Sequence, residues 1–201
     1  MQTRGLMAVA LAGWLLAGSA VAQTVELAQA GAGPRAPAPS TQAQRDLPIR
    51  AFFGSFRGSG IAQNEDSLYF NVTVRDLDLK IVGIGKGFSA TWTTVLRQGG
   101  DPAKPNVRKR SASLTFVPTT RSGQFRSTES GDPLAGKPLV WARIRERTLT
   151  IYELNVLEDG RYDMQTYART LTGEGMELDY TRVQDGEPVR GVKGRLVKDA
   201  N

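Results

Sequence analysis

Between residues 50 and 198 apolar and polar positions alternate in short runs, and turn-forming residues interrupt them at roughly 8–15-residue intervals. Residues 68–75 have a period of two, with Leu68, Phe70, Val72 and Val74 on one face. Phe88, Ala90, Trp92, Thr94 and Leu96 share a face in the next clear run. Further strands are predicted at 52–61, 77–84, 110–117, 139–145, 148–157, 162–171, 176–183 and 189–197. Asp159-Gly160 and Asp185-Gly186 are good hairpin turns, because both residue types tolerate the left-handed backbone such turns need. Gly99-Gly100-Asp101, Arg121-Ser122-Gly123 and Gly173-Glu174-Gly175 mark further reversals. The pattern predicts an all-β domain, an antiparallel up-and-down meander of about nine or ten strands. Closing the meander into a barrel leaves no exposed edge. A β-sandwich is the alternative, since periodicity does not separate closed from open sheets.

The first residues have a different texture. Arg4 precedes an apolar run over 6–16, and Ala20-Val21-Ala22 is an A-x-A cleavage site with Gln23 as the mature start. Residues 1–22 read as a cleaved signal peptide. The run is too short for a spanning helix, and no later run is long enough to cross a bilayer as a helix. No Arg pair precedes the run, which favours the general secretion route. Residues 23–49 are rich in Ala, Gln and Pro and are expected to form a disordered tether. Residues 50–201 are then a single β domain, expected in the periplasm, with secretion beyond it left open.

Composition narrows the chemistry. The chain has no Cys and no His. Disulfides, a Ser-His-Asp triad, a Cys nucleophile and a zinc site of the usual His/Cys kind are therefore excluded. No catalytic residue, metal ligand or cofactor site is assigned. Glu153, Glu174, Glu177 and Asp179 mostly flank turns, as solvated charges do. Gly83, Gly85 and Gly87 spell G-x-G-x-G, but a strand follows where a phosphate loop needs a helix. A hairpin turn is expected there. Asn71-Val72-Thr73 matches a glycosylation triplet but falls within a strand. The net charge of +6 drops to about +5 without Arg4, which suits an anionic membrane surface or an envelope protein as a partner. The clusters Val107-Arg108-Lys109-Arg110 and Arg143-Ile144-Arg145-Glu146-Arg147 lack the continuous aromatic face that nucleic-acid binding needs. They are read as edge protection and solubility, and no nucleic-acid partner is expected.

Aromatic and basic residues pair two positions apart in three late strands. Trp141 and Arg143 share a face, as do Tyr167 and Arg169, and Tyr180 and Arg182. Inside a barrel, such an Arg can hold a carboxylate or phosphate while Trp92 and the other aromatics contact an apolar body. On an outer face, the same Arg would lay its stem over the ring.

Gly54-Ser55-Phe56 stands near the first strand, where lipocalins have Gly-x-Trp. With the meander and the late aromatic/Arg strands, this makes residues 50–198 resemble the calycin barrels, the lipocalins and fatty-acid-binding proteins. Phe56 replaces the family's Trp, and the other lipocalin motifs are not placed. The resemblance implies a closed lipocalin-like barrel with a central cavity for a small apolar or amphipathic molecule. The expected function is therefore a non-enzymatic, exported envelope binding protein for a lipid-like ligand, anionic ones included. Trp92, Trp141, Tyr167 and Arg169 are expected to point inward. The alternative is a structural or protein-interaction module of the envelope.

Overall fold

The computed structural model describes residues 45–64, 73–97 and 107–200. The signal peptide, most of the tether, the start of the 68–75 run, Asn71-Val72 and the Gly99-Gly100-Asp101 reversal lie outside the described residues. A 3-10 helix, Ile49–Phe52, precedes ten strands: β1 Gly54–Asn64, β2 Thr73–Ile84, β3 Gly87–Arg97, β4 Val107–Pro118 and β5 Gln124–Ser127, then β6 Leu139–Arg145, β7 Thr148–Val156, β8 Tyr162–Leu171, β9 Gly175–Gln184 and β10 Glu187–Lys198.

Each strand pairs antiparallel with the next, and β1 pairs with β10 to close the barrel. The closing register runs from Phe56 opposite Lys198 to Asn64 opposite Arg190. Closure decides between barrel and sandwich and gives a lipocalin-like architecture. β5 is absent from the sequence-based strands because four residues are too few to display a period. β2 merges what the pattern separates at residue 76. Within it Val74 lies outside, 55% exposed, while Leu77, Leu79 and Ile81 are buried. Arg75 therefore shares the inner face with these three residues.

The lower end of the barrel carries the β2–β3, β4–β5, β6–β7 and β8–β9 turns. Its core is aromatic. Phe88 stacks on Phe116 with centroids 4.7 Å apart and meets Phe125 edge-on at 5.1 Å. Phe52, Phe56, Phe88 and Phe116 are all within 1% of complete burial. The segment before β1 spans this end. Leu47 N donates to the Glu146 carbonyl at 2.8 Å, and Asp46 Oδ1 accepts from Glu146 N at 2.6 Å. Leu47 and Ile49 pack on the core. Contacts with the barrel thus begin a few residues before the expected boundary at 50.

The G-x-G-x-G glycines form the β2–β3 hairpin. Gly85 has φ +55°, and a Cβ on Gly87 would lie 1.8 Å from the Phe116 carbonyl oxygen. Those requirements account for the two glycines without a phosphate. On the outer face, Thr91 meets Ser113 and Thr93 meets Ser111, each pair at 2.8 Å. Such cross-strand pairs reinforce the β3–β4 register.

Candidate functional site

Above the phenylalanine floor the barrel is not filled. A cavity of about 440 Å³ lies between β2, β3, β4, β8, β9 and β10. That is within the usual range for small-molecule sites. Its middle is apolar and aromatic, with Leu77, Leu79, Trp92, Leu178, Tyr180 and Val192 on the wall. Its charge is almost entirely cationic, from Arg75, Arg108, Arg110, Arg169 and Arg190. Asp78 also borders it but lies on the outer face, 3.8 Å from Arg57.

Arg169 is the most unusual residue in this wall. It is 3% exposed, and its Nη1 has no hydrogen-bond partner among the described residues. Its guanidinium lies 5.1 Å from the Trp92 ring centre and 5.3 Å from that of Tyr167. Trp92, Tyr167 and Tyr180 continue as a chain of ring contacts at 5.2 and 4.7 Å. Burial pushes the guanidinium down to about 10, and nearby Tyr167 offsets only part of this. Buried charges are ordinarily paired, so a paired carboxylate is the missing element of an ordinary core.

The tyrosines are fixed from one side. Tyr167 Oη and Tyr180 Oη both donate to Gln165 Oε1, at 3.0 and 3.1 Å. Burial raises both phenols, with the Tyr180 phenol and the Glu153 charge adding at Tyr167. Arg182 also faces inward, but it is occupied. Its Nε donates to Asp163 Oδ2 at 2.8 Å, and Gln184 Nε2 adds a bond at 3.1 Å. Burial pushes the Asp163 carboxyl up, but the bonds from Arg182 and Gln184 and the Arg182 charge outweigh it, leaving it below its ordinary range.

A raised phenol has a sign that can be tested. The unfolded chain ionises its tyrosines near pH 10, before the folded chain does, so their contribution is full below pH 10 and falls as pH rises above it. Tyr167→Phe should therefore flatten the alkaline loss of thermal stability relative to wild type. Parallel melting-temperature curves between pH 8 and 11.5 would contradict the burial of this hydroxyl.

Of the seven residues expected at the site, Trp92, Tyr167, Arg169 and Tyr180 line one cavity. Arg182 sits on the same inner face, tied to Asp163. Trp141 and Arg143 are corrections. In β6, Val140, Ala142 and Ile144 are buried, so the odd positions face outward. Trp141 stacks on Tyr152 outside the barrel, with centroids 4.9 Å apart, and Arg143 is exposed. Alternation groups residues by face but does not say which face is inside. The reading of 107–110 as edge protection is also corrected. β4 is not an edge, and Arg108 and Arg110 line the cavity. Arg75, Arg190 and Gln165 were missed as well. Arg75, Arg110 and Arg190 share their face with Leu77, Ala112 and Val192, and that shared face was the available signal.

No protein-family model matches the chain, and neither does any curated protein. Among solved structures, a protein of unknown function of the DUF3598 family from Nostoc punctiforme superposes with a TM-score of 0.52 at 15% identity, over 78% of this chain and 51% of that one. The chain thus spans about half the length of that relative, and the likeness is one of fold. The S-type phycobiliprotein lyase from Guillardia theta matches at TM-score 0.36 and 12% identity, over 77% of this chain and 94% of its own. An N-terminal dehydratase of the difficidin assembly line matches at 0.21 and 8%, over 76% and 80%. These two similarities are too distant to carry a function. The closed ten-strand barrel fits a calycin-like fold.

Proposed function

We propose that this chain is an exported, non-enzymatic binding protein of the cell envelope that holds a small amphipathic anion inside its barrel. The observation that carries the reading is Arg169, a buried cation whose Nη1 has no partner among the described residues, beside a cavity of about 440 Å³. An anion in the cavity would supply the missing counter-charge. The apolar and aromatic wall would hold the ligand's body, and charge-assisted hydrogen bonds would fix its polar end. Export rests on the sequence of residues 1–22.

Native mass spectrometry of the protein purified from its own host tests both parts. The expected polypeptide begins at Gln23 and carries a discrete added mass that solvent extraction releases. A full-length chain retained in the cytoplasm would remove the envelope assignment. A clean polypeptide mass, with no anion retained even from concentrated host lipid extract, would remove the binding assignment.

A further inference from the structure

The cavity has two separate cationic regions, and their separation along the barrel is informative. Arg169 is near the lower end of β8, just above the aromatic floor. Arg75, Arg108 and Arg110 are near the upper ends of β2 and β4, close to where those strands begin. Arg75 and Arg110 act on one another. Burial lowers the Arg75 guanidinium first, then repulsion from Arg190 and from Arg110. Arg169 is lowered by burial alone. Arg75 Nε is itself buried without a hydrogen-bond partner among the described residues. Trp92, which meets Arg169, stands opposite Ala112, whereas Arg110 stands opposite Thr94, one inward position higher, and Arg75 opposite Leu96, two higher. Leu77, Leu178 and Val192 complete the apolar wall.

Like charges converging on one space repel, and keeping them there costs stability unless an anion joins them. A ligand with one anionic head answers only one of the two regions. With its head on Arg169, an apolar tail would lie among the upper arginines. With its head at the upper end, Arg169 would stay buried without a counter-charge.

We infer that the ligand is dianionic, with an apolar body and an anionic group at each end, one held by Arg169 and the other by Arg75 with Arg110. This rests on the binding reading above and narrows its ligand class. The deep group is a compact one such as a carboxylate, because Trp92 and Tyr167 close on Arg169. The outer group meets several guanidiniums and tolerates higher charge.

Calorimetric titration of the mature protein at fixed salt tests it with matched probes. Dodecanedioate, tetradecanedioate and hexadecanedioate are compared with the monocarboxylates of equal length. The dicarboxylates should bind about tenfold or more tighter at the best length. In a variant carrying Arg75→Met and Arg110→Met, the dicarboxylates should lose that advantage and bind no more than about twofold tighter than the monocarboxylates of equal length. Arg169→Met should weaken both series. Equal affinity of the two series for wild type overturns the dianion and leaves the binding reading standing. Failure of every probe to bind overturns both. The wild-type comparison needs no variant, so a misfolded mutant does not obscure the outcome.

Discussion

Arg169→Met makes the unliganded protein more stable while weakening its hold on an anionic ligand by about tenfold or more. The two effects have one cause. The drop of the Arg169 guanidinium from its ordinary value to about 10 corresponds, at ~1.4 kcal/mol per tenfold, to roughly 3–4 kcal/mol of unfavourable burial. Stacking against Trp92 and Tyr167 returns part of this, about 1–2 kcal/mol. Methionine fills similar space, carries no charge and makes its own contacts with the rings. The net gain should be about 1–2 kcal/mol, or about 2–8 °C in melting temperature for a domain of this size. The pH dependence has a definite sign. The unfolded chain keeps the arginine proton well above pH 10, whereas the folded chain releases it near 10. Over that range the unfolded state binds more protons, so wild-type stability rises with pH there. The advantage of the variant is therefore full at pH 7 and shrinks above pH 10. Calorimetric melts of both proteins at pH 7 and pH 11 measure it. A variant that melts below wild type at pH 7 would make Arg169 a structural residue and take away the reason for a ligand.

Phe88→Ala has the largest expected effect on stability. Phe88 is fully buried, stacks on Phe116 and meets Phe125 edge-on. Removing such a ring typically costs about 3–5 kcal/mol, from lost transfer energy and the cavity left behind. Domains have about 5–15 kcal/mol in total, so roughly a fifth or more of the stability rests on this ring. Urea unfolding should show a lower midpoint with an unchanged slope. A loss below about 1 kcal/mol would mean that the floor is loosely packed and that the barrel is held elsewhere. The distinction bears on function, because this floor supports Ala90 and Trp92 on the same strand, directly below the ring that faces Arg169.

Strand periodicity and turn chemistry made nearly all of the barrel wall legible. Asp185-Gly186 joins β9 to β10 as its residue types require. The missing strand, β5, has four residues and no period to detect. The site was harder to read for a physical reason. Alternation assigns residues to a common face, and deciding which face is inner needs the neighbouring strands. Tyr167 and Arg169 share their face with Asp163, and all of them point inward. Trp141 and Arg143 show the same i, i+2 pattern and point outward, because Val140, Ala142 and Ile144 fill the interior. Arg108 and Arg110 looked like a solvated cluster because the eye follows contiguous charge. Both are solvent-exposed, but their alternation with Lys109, and their shared parity with Ala112, Leu114 and Phe116, place them at the open end of the cavity.

The pairing of β1 with β10 also sets a timetable. Phe56 finds its partner Lys198 only when nearly the whole barrel domain is present, so the contact order of the closing seam is close to the maximum the domain allows. A chain that emerges N-terminus first, from a ribosome or through a membrane pore, leaves one edge of β1 unpaired until its last strand arrives. The closed barrel is then a late product, completed only when β10 pairs with β1. Truncation before residue 187 would deprive β1 of its seam partner altogether, and the remaining nine strands would have two open edges instead of none.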